Sequence, residues 1–230
     1  MTYRVGSMFA GIGGICLGFK RNNCEIVWAN EIDKYACETY RHNFNGAEYL
    51  VECDIRDITN KRDGETEKEW EERIDKSIPD IDILNGGFPC QAFSIAGERK
   101  GFEDERGNMF FEILKVMKVK KPKMFLLENV KNLKSHDKGN TFKVIVSELE
   151  KLGYTVKAEV LNSMEHGNIP QNRERIFIVG FLDKDIAERF NFPEKISLTR
   201  SIADLIDLDD KKDDKFYYNT TKYYDDLVRD

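Results

Sequence analysis

No run in this sequence of 230 residues approaches the roughly 18 consecutive apolar residues that a membrane-spanning helix needs. The N-terminus, Met1-Thr2-Tyr3-Arg4-Val5, has no apolar h-region ahead of a small-residue cleavage site, so no secretion signal is expected. Five cysteines, at 16, 24, 37, 53 and 90, include no C-x-x-C pair. The three histidines, His42, His136 and His166, stand at no metal-ligand spacing. A disulfide framework or a zinc site is therefore not expected, and free thiols point to a reducing cytosol. Internal repeats are absent. So is an excess of base: 42 acids against 36 bases give a net charge of −6, and global charge lends no support to nucleic-acid binding. What remains is 40% hydrophobic and 34% charged, enough for one sizeable α/β domain, or for a domain with an appendage.

Strand-like and helix-like stretches alternate along the chain. Residues 3–9, 25–30, 48–53, 81–84, 123–127, 154–161 and 175–181 read as strands. Residues 15–21, 33–43, 65–76, 109–119 and 140–152 read as helices, with 199–208 a candidate for one more. Short apolar strands separated by helices predict βαβ units, hence a largely parallel sheet covered on both faces. The last two strands have no helical stretch between them, which predicts antiparallel pairing at one edge.

Charge is unevenly spread. Residues 54–82 carry eleven acids against six bases and read as a solvated face. Residues 115–143 carry nine lysines against Glu128 and Asp137, a candidate for local phosphate contact or equally a solvated lysine face. The tail, 207–226, is rich in Asp, Lys and Tyr with little apolar periodicity, so a loose segment or one awaiting a partner is expected.

Phe9-Ala10-Gly11-Ile12-Gly13-Gly14 lies between the first strand and the first helix, the usual nucleotide cradle of a doubly wound sheet. The pattern is not G-x-G-x-x-G, because Cys16 holds the third glycine position, and no Gly-Lys-Ser/Thr follows. Pyrophosphate binding is disfavoured. Glu31 closes the second strand, where a carboxylate can accept from two ribose hydroxyls; Asp54 follows the third, where one can take an adenine amino group. Ribose and adenine without phosphates suggest S-adenosylmethionine, though spacing alone leaves a generic Rossmann turn equally open.

Gly86-Gly87-Phe88-Pro89-Cys90-Gln91 follows the fourth strand and runs into a long glycine-punctuated loop, 92–108. Loop amides or cations there can stabilise a thiolate at Cys90; the plainer reading is an incidental loop thiol. Leu127-Glu128-Asn129-Val130 puts a carboxyl just after the fifth strand, where a helix N-cap is the plainer reading. In Gln171-Asn172-Arg173-Glu174-Arg175 the two arginines, two apart in extended chain, project to one face. Surface salt bridging is their plainer reading.

Taken in order, these six stretches resemble the DNA (cytosine-5)-methyltransferases, particularly those of bacterial restriction–modification systems. The resemblance covers residues 4–182. It implies a doubly wound, Rossmann-like S-adenosylmethionine-dependent methyltransferase fold, with a mostly parallel sheet and an antiparallel edge strand. It also implies that Cys90 adds to carbon 6 of a cytosine, making carbon 5 nucleophilic. Glu128 then stabilises the charged ring at N3, while Arg175, supported by Arg173, holds the base carbonyl or positions Glu128 and the thiolate. Carbon 5 takes the methyl group, and loss of its proton expels Cys90. The base must flip out of double-stranded DNA, under the 92–108 loop, with Ser94 and Arg106 contacting phosphates. The cofactor positions map onto Phe9, Gly11, Ile12, Gly14, Glu31, Ile32, Asp54, Ile55, Pro89 and Met109, with Ile32 where relatives often carry Trp. No metal is implied.

Members of the family continue with a target-recognition domain and two further motifs, which nothing in the 49 residues after Phe181 resembles. The expectation is a catalytic, S-adenosylmethionine-binding domain over 1–182. Residues 183–230 form a C-terminal extension that begins a missing or separately encoded target-recognition region, the latter on a second polypeptide. The isolated chain is then expected to bind S-adenosylmethionine weakly and to methylate DNA poorly. Its expected location is the bacterial cytoplasm, associated with the nucleoid. Three alternatives stand beside this: a tRNA cytosine-5 methyltransferase, disfavoured by Phe-Pro-Cys-Gln-Ala-Phe where those relatives tend to carry Pro-Pro-Cys-Gln-Pro-Phe; a non-catalytic adenosyl-binding or interaction subunit; and, more distantly, an NAD oxidoreductase.

Overall fold

A computed structural model describes residues 2–88 and 109–206. Seven strands form one sheet in the order β3-β2-β1-β4-β5-β7-β6. The strands are β1 (Arg4–Met8), β2 (Glu25–Glu31), β3 (Leu50–Glu52), β4 (Ile83–Gly87), β5 (Met124–Val130), β6 (Thr155–Asn162) and β7 (Glu174–Phe181). The first five are parallel, and β7 runs antiparallel to both β5 and β6. The antiparallel pairing expected at one edge is present. The reversed strand, β7, sits one place in, and β6 takes the edge.

The helices are α1 (Gly14–Arg21), α2 (Lys34–Asn43), α3 (Ile55–Thr59), α4 (Glu67–Ser77), α5 (Met109–Lys120), α6 (Asn140–Lys151), α7 (Ser163–His166) and α8 (Lys184–Arg189). Alternating strand residues feed two cores. Met8, Leu84, Phe125 and Ile178 pack with α4, α5 and α6 through Trp70, Ile74, Phe110, Ile113, Ile145 and Leu149. Val5, Ile26, Ala29 and Ile83 pack on the other face with Cys16, Cys37 and Tyr40 from α1 and α2. Burial raises the Cys16 and Tyr40 pKa values, as expected of small and aromatic core residues.

Three readings of the sequence need correction. A short helix, α7, does separate β6 from β7, started by the Asn162 side chain accepting from Met164 N–H. The further helix sought at 199–208 is, within the described residues, a single 3-10 turn over Ile202–Asp204. The acidic stretch is not merely a solvated face, because it meets the lysines of α5 and the turn after it. Lys118 lies 2.6 Å from Glu67 and 2.9 Å from Glu71, Lys120 lies 2.6 Å from Asp75, and Lys123 lies 3.0 Å from Asp82. After β7 the chain stays on the sheet: Ala187 is buried with Val179 and Phe181, and Phe190 and Phe192 pack against them. Among the described residues no helix is long and apolar enough to cross a membrane.

Candidate functional site

The carboxyl ends of β1, β2, β4 and β5 meet at one crevice, the position where parallel α/β sheets bind ligands. Its first wall is the glycine loop. Phe9 leaves β1 with φ 53°, Gly11 has φ 55° and Gly13 has φ 91°. At Gly13 a Cβ would also lie 2.3 Å from the Phe44 ring, so only glycine lets the loop close onto α2. Gly13, which the sequence reading passed over in favour of Gly11 and Gly14, is thus the glycine the fold requires.

Glu31 locks this loop. Its Oε2 accepts from Gly11 N–H at 2.8 Å, while Oε1 accepts from Ile32 N–H at 2.8 Å and Asp33 N–H at 2.9 Å. A carboxylate has about four acceptor sites. Three are taken by the chain itself, which leaves acceptor capacity for a ligand hydroxyl. Asp54 differs. It caps α3 by accepting from Arg56 N–H, and both its oxygens accept from the Arg56 guanidinium. Those hydrogen bonds hold its pKa below the usual carboxylate value. Ile55 is 2% exposed, its side chain in the core, so it offers a ligand only its backbone. Ile12 and Ile32 behave oppositely, at 58% and 62% exposed. Two large apolar side chains held in water beside a glycine loop suit an aromatic ring, and in this respect the residues fit an adenosyl group. Met109 opens α5, partly buried against the main core.

The second wall comes from β4, β5 and β7. Gly87 pairs with Glu128 in the parallel ladder, and a Cβ there would stand 3.3 Å from Glu128 Oε2. Across the antiparallel ladder Glu128 faces Phe177 and Val130 faces Arg175, so Arg175 lies diagonal to Glu128 on the same face. Arg175 Nε sits 2.9 Å from Glu128 Oε1, with both side chains 23% exposed. Arg175 also donates to the carbonyl of Glu174 at 2.8 Å, which fixes the guanidinium. Glu128 is therefore a strand residue held by a cation, not a helix cap. Arg173 is exposed ahead of β7, its carbonyl accepting from Ser163 N–H at 3.0 Å. Asn129 is buried; its amide donates to the Phe88 carbonyl at 2.9 Å and its oxygen accepts from Val130 N–H. It anchors the last described residue ahead of Pro89. Pro89, Cys90, Ser94 and Arg106 lie outside the described residues, as does the tail from 207.

Between the two walls lies a cleft of about 560 Å³. Phe9, Ala10, Gly14 and Ile15 line it on one side and Gly87, Glu128, Arg173 and Arg175 on the other. The structure thus brings Phe9 and Gly14 to the same cleft as Glu128 and both arginines. His166, Ile169, Phe177 and Pro193 are among the other lining residues and were missed in the sequence. Phe177 was recoverable from its alternation with Arg175; the other three carry no local signal. Among the described residues no group of three or more His, Cys, Asp or Glu is positioned to hold a metal ion.

Comparison with known proteins agrees with this geometry. Residues 3–229 match the model of the C-5 cytosine-specific DNA methylases. The Type II methyltransferase M.Bsp6I of Bacillus sp. (strain RFL6) is 50% identical over 221 residues, 95% of this chain and 65% of that protein. M.HhaI of Haemophilus parahaemolyticus is 43% identical over 199 residues, 86% of this chain and 55% of that protein. The chain thus spans between about half and two thirds of the length of these relatives. Among solved structures, the Dnmt2 methyltransferase of S. pombe superposes with a TM-score of 0.63 at 23% identity, covering 91% of this chain and 62% of that one. The same fold reached at low identity, and near-complete sequence matches at high identity, have one reading: the chain belongs to the family of C-5 cytosine-specific DNA methylases.

Proposed function

We propose that the protein methylates carbon 5 of a cytosine flipped out of double-stranded DNA, with S-adenosylmethionine as donor and Cys90 as transient covalent nucleophile. The observation that carries this reading is the Glu128–Arg175 pair, 2.9 Å apart in a cleft shared with the glycine loop. S-adenosylmethionine supplies an electrophilic methyl group on a sulfonium. The protein must make an unreactive ring carbon nucleophilic beside it. Cys90 adds to carbon 6 and directs electron density to carbon 5. Glu128 sits where it can share a proton with ring N3 and offset the charge that develops there. Arg175 keeps the Glu128 side chain pointed into the cleft and, with Arg173, offers donors to the base carbonyl. Gly87, without a side chain, leaves Glu128 its place. The apolar side chains of Ile12, Ile32 and Phe9 flank an adenosyl group, and Glu31 holds the amides of the loop beneath it.

In this reading residues 1–182 form the catalytic unit. Residues 183–230 extend it, beginning with a stretch packed on β7. The test is covalent trapping on duplex DNA carrying 5-fluorocytosine in place of cytosine, with S-adenosylmethionine present. The carbon-5 fluorine blocks elimination, so, with any missing target-recognition complement supplied, a denaturation-resistant protein–DNA adduct is expected from the parent and none from Cys90→Ser. An adduct that persists in Cys90→Ser removes Cys90 from its role, and preference for a tRNA acceptor shifts the substrate to RNA.

A further inference from the structure

Of the nine lysines of residues 115–143, those ahead of β5 face carboxylates, Lys121 excepted. Lys115 binds the buried Glu112, with both contacts at 2.9 Å. Lys118, Lys120 and Lys123 are matched by the carboxylates of α4 and the segment after it. Beyond β5 the pattern changes. Lys131 pairs with Glu174, but Lys134 and Lys138, on the two turns that follow, are exposed and have no carboxylate within ion-pair distance among the described residues. The first of these turns, Lys131–Lys134, packs against β7.

Between that turn and the segment leading into β7 is a second cleft, of about 360 Å³. Asn132, Gln171, Asn172 and Arg173 line it with side-chain amides and a guanidinium. Arg173 and Arg175 line this cleft and the larger one alike. Its one carboxylate, Glu174, is already matched by Lys131. Asp137, between the exposed lysines, accepts from the Asn140 side chain.

We infer that this second cleft seats the sugar–phosphate backbone of the DNA strand that enters the larger cleft, with Lys134 and Lys138, on the turns that continue from Lys131 and Asn132 of its lining, neutralising phosphates further along the strand. The inference rests on the proposed function and adds the path of the bound strand. Unmatched cations, neutral donors and a guanidinium shared with the reactive cleft suit an anionic polymer threading from one to the other. The lysines already bound to α4 have no such role. This division explains how a chain of net charge −6 presents a cationic surface at one end of its sheet.

The experiment is fluorescence anisotropy of a labelled cytosine-containing duplex across a sodium chloride series. It compares the parent with Lys134→Gln/Lys138→Gln and with Lys118→Gln. Each phosphate neutralised contributes about 0.9 to the slope of log K against log salt, so the double variant should lose about 1.8 of slope. Lys118→Gln should keep the parental slope. An unchanged slope in the double variant overturns the inference. So does an equal loss in Lys118→Gln, salt-independent binding by the parent, or tighter lysine-dependent binding of a tRNA than of the duplex. Calorimetry with S-adenosylhomocysteine separates this from the proposed function. The double variant should bind it as the parent does. A parent that takes up none while the slopes behave as expected refutes the donor assignment and leaves the strand path standing.

Discussion

Glu31 sits in a loop of its own making. It receives three backbone N–H groups, from Gly11, Ile32 and Asp33, so one carboxylate ties the glycine loop to the end of β2. Hydrogen bonds to a charged acceptor contribute about 1.5–3 kcal/mol. Glu31→Gln, which keeps one acceptor oxygen, should lower the unfolding free energy by about 1–3 kcal/mol even without ligand. Chemical denaturation measures this, and a parental midpoint would show the amide bonds to be incidental. The two neighbouring glycines should separate cleanly. At Gly11 a Cβ meets nothing within 4 Å, so Gly11→Ala costs only the left-handed backbone, about 1–2 kcal/mol. At Gly13 the collision with Phe44 adds to that cost, and Gly13→Ala should lose about 2–4 kcal/mol. Equal losses at the two sites would deny the packing argument. For Glu128, the partner matters more than stability. Arg175→Ala should cut methyl transfer by about 10²–10³-fold, the usual loss for one charge-stabilising donor, with S-adenosylhomocysteine affinity near the parental value. Activity within a few-fold of parental would mean that Glu128 needs no clamp.

At the scale of elements, the acidic segment and the lysines of α5 form a fastening between α4, α5 and the sheet. Arg73 reaches from α4 to Glu65 at 2.7 Å and to the carbonyls of Ile58 and Asn60, binding the end of α3. Its guanidinium pulls the Glu65 pKa from 4.5 down to about 2. Arg4, with Lys123, holds Asp82 lower still, at the junction of β1, β4 and β5. The sign follows from linkage. A depressed carboxylate stabilises the fold above its unfolded pKa and loses that contribution as pH falls through the folded one. Stability should therefore fall between about pH 4.5 and pH 2. The fall should be shallower in Glu65→Gln, read as urea midpoints across that range; a parental pH profile in the variant would remove Glu65 from the account. The ion pairs between α4 and α5 were not visible in the sequence, because their partners stand far apart along the chain, 51 residues for Lys118 and Glu67 and 45 for Lys120 and Asp75. α3 was missed for a related reason. Asp54 was read only as a ligand carboxylate after a strand, and its side chain also starts α3 by accepting from Arg56 N–H. What was legible was local: the alternation of strands and helices, the glycine loop, and the pair of arginines whose spacing put them on one face. The Glu128–Arg175 contact needed the register of β5 against β7, which no local pattern encodes.

For the molecule as a whole, the site is a property of the sheet's carboxyl edge, and ligand occupancy should couple to global stability. S-adenosylhomocysteine at one hundred times its Kd should add about 2.7 kcal/mol to the unfolding free energy. A thermal shift that scales with ligand concentration and weakens in Glu31→Gln checks this; no shift at saturating concentrations would argue against an adenosyl site. The antiparallel course of β7 has a further consequence. Val130 and Arg175 stand opposite each other in the ladder, so the 131–174 excursion begins and ends at the same point in space. The distance between carboxylate and guanidinium is blind to how long that excursion is. Doubling the length of a flexible loop costs only about 0.6 kcal/mol. Added residues in the exposed turn at Ser135 should therefore leave the Glu128–Arg175 pair where it is. A single deletion inside β7 would instead turn Arg175 to the opposite face of the sheet. The protein is tolerant of growth in that excursion and intolerant of a one-residue slip in the strand that ends it.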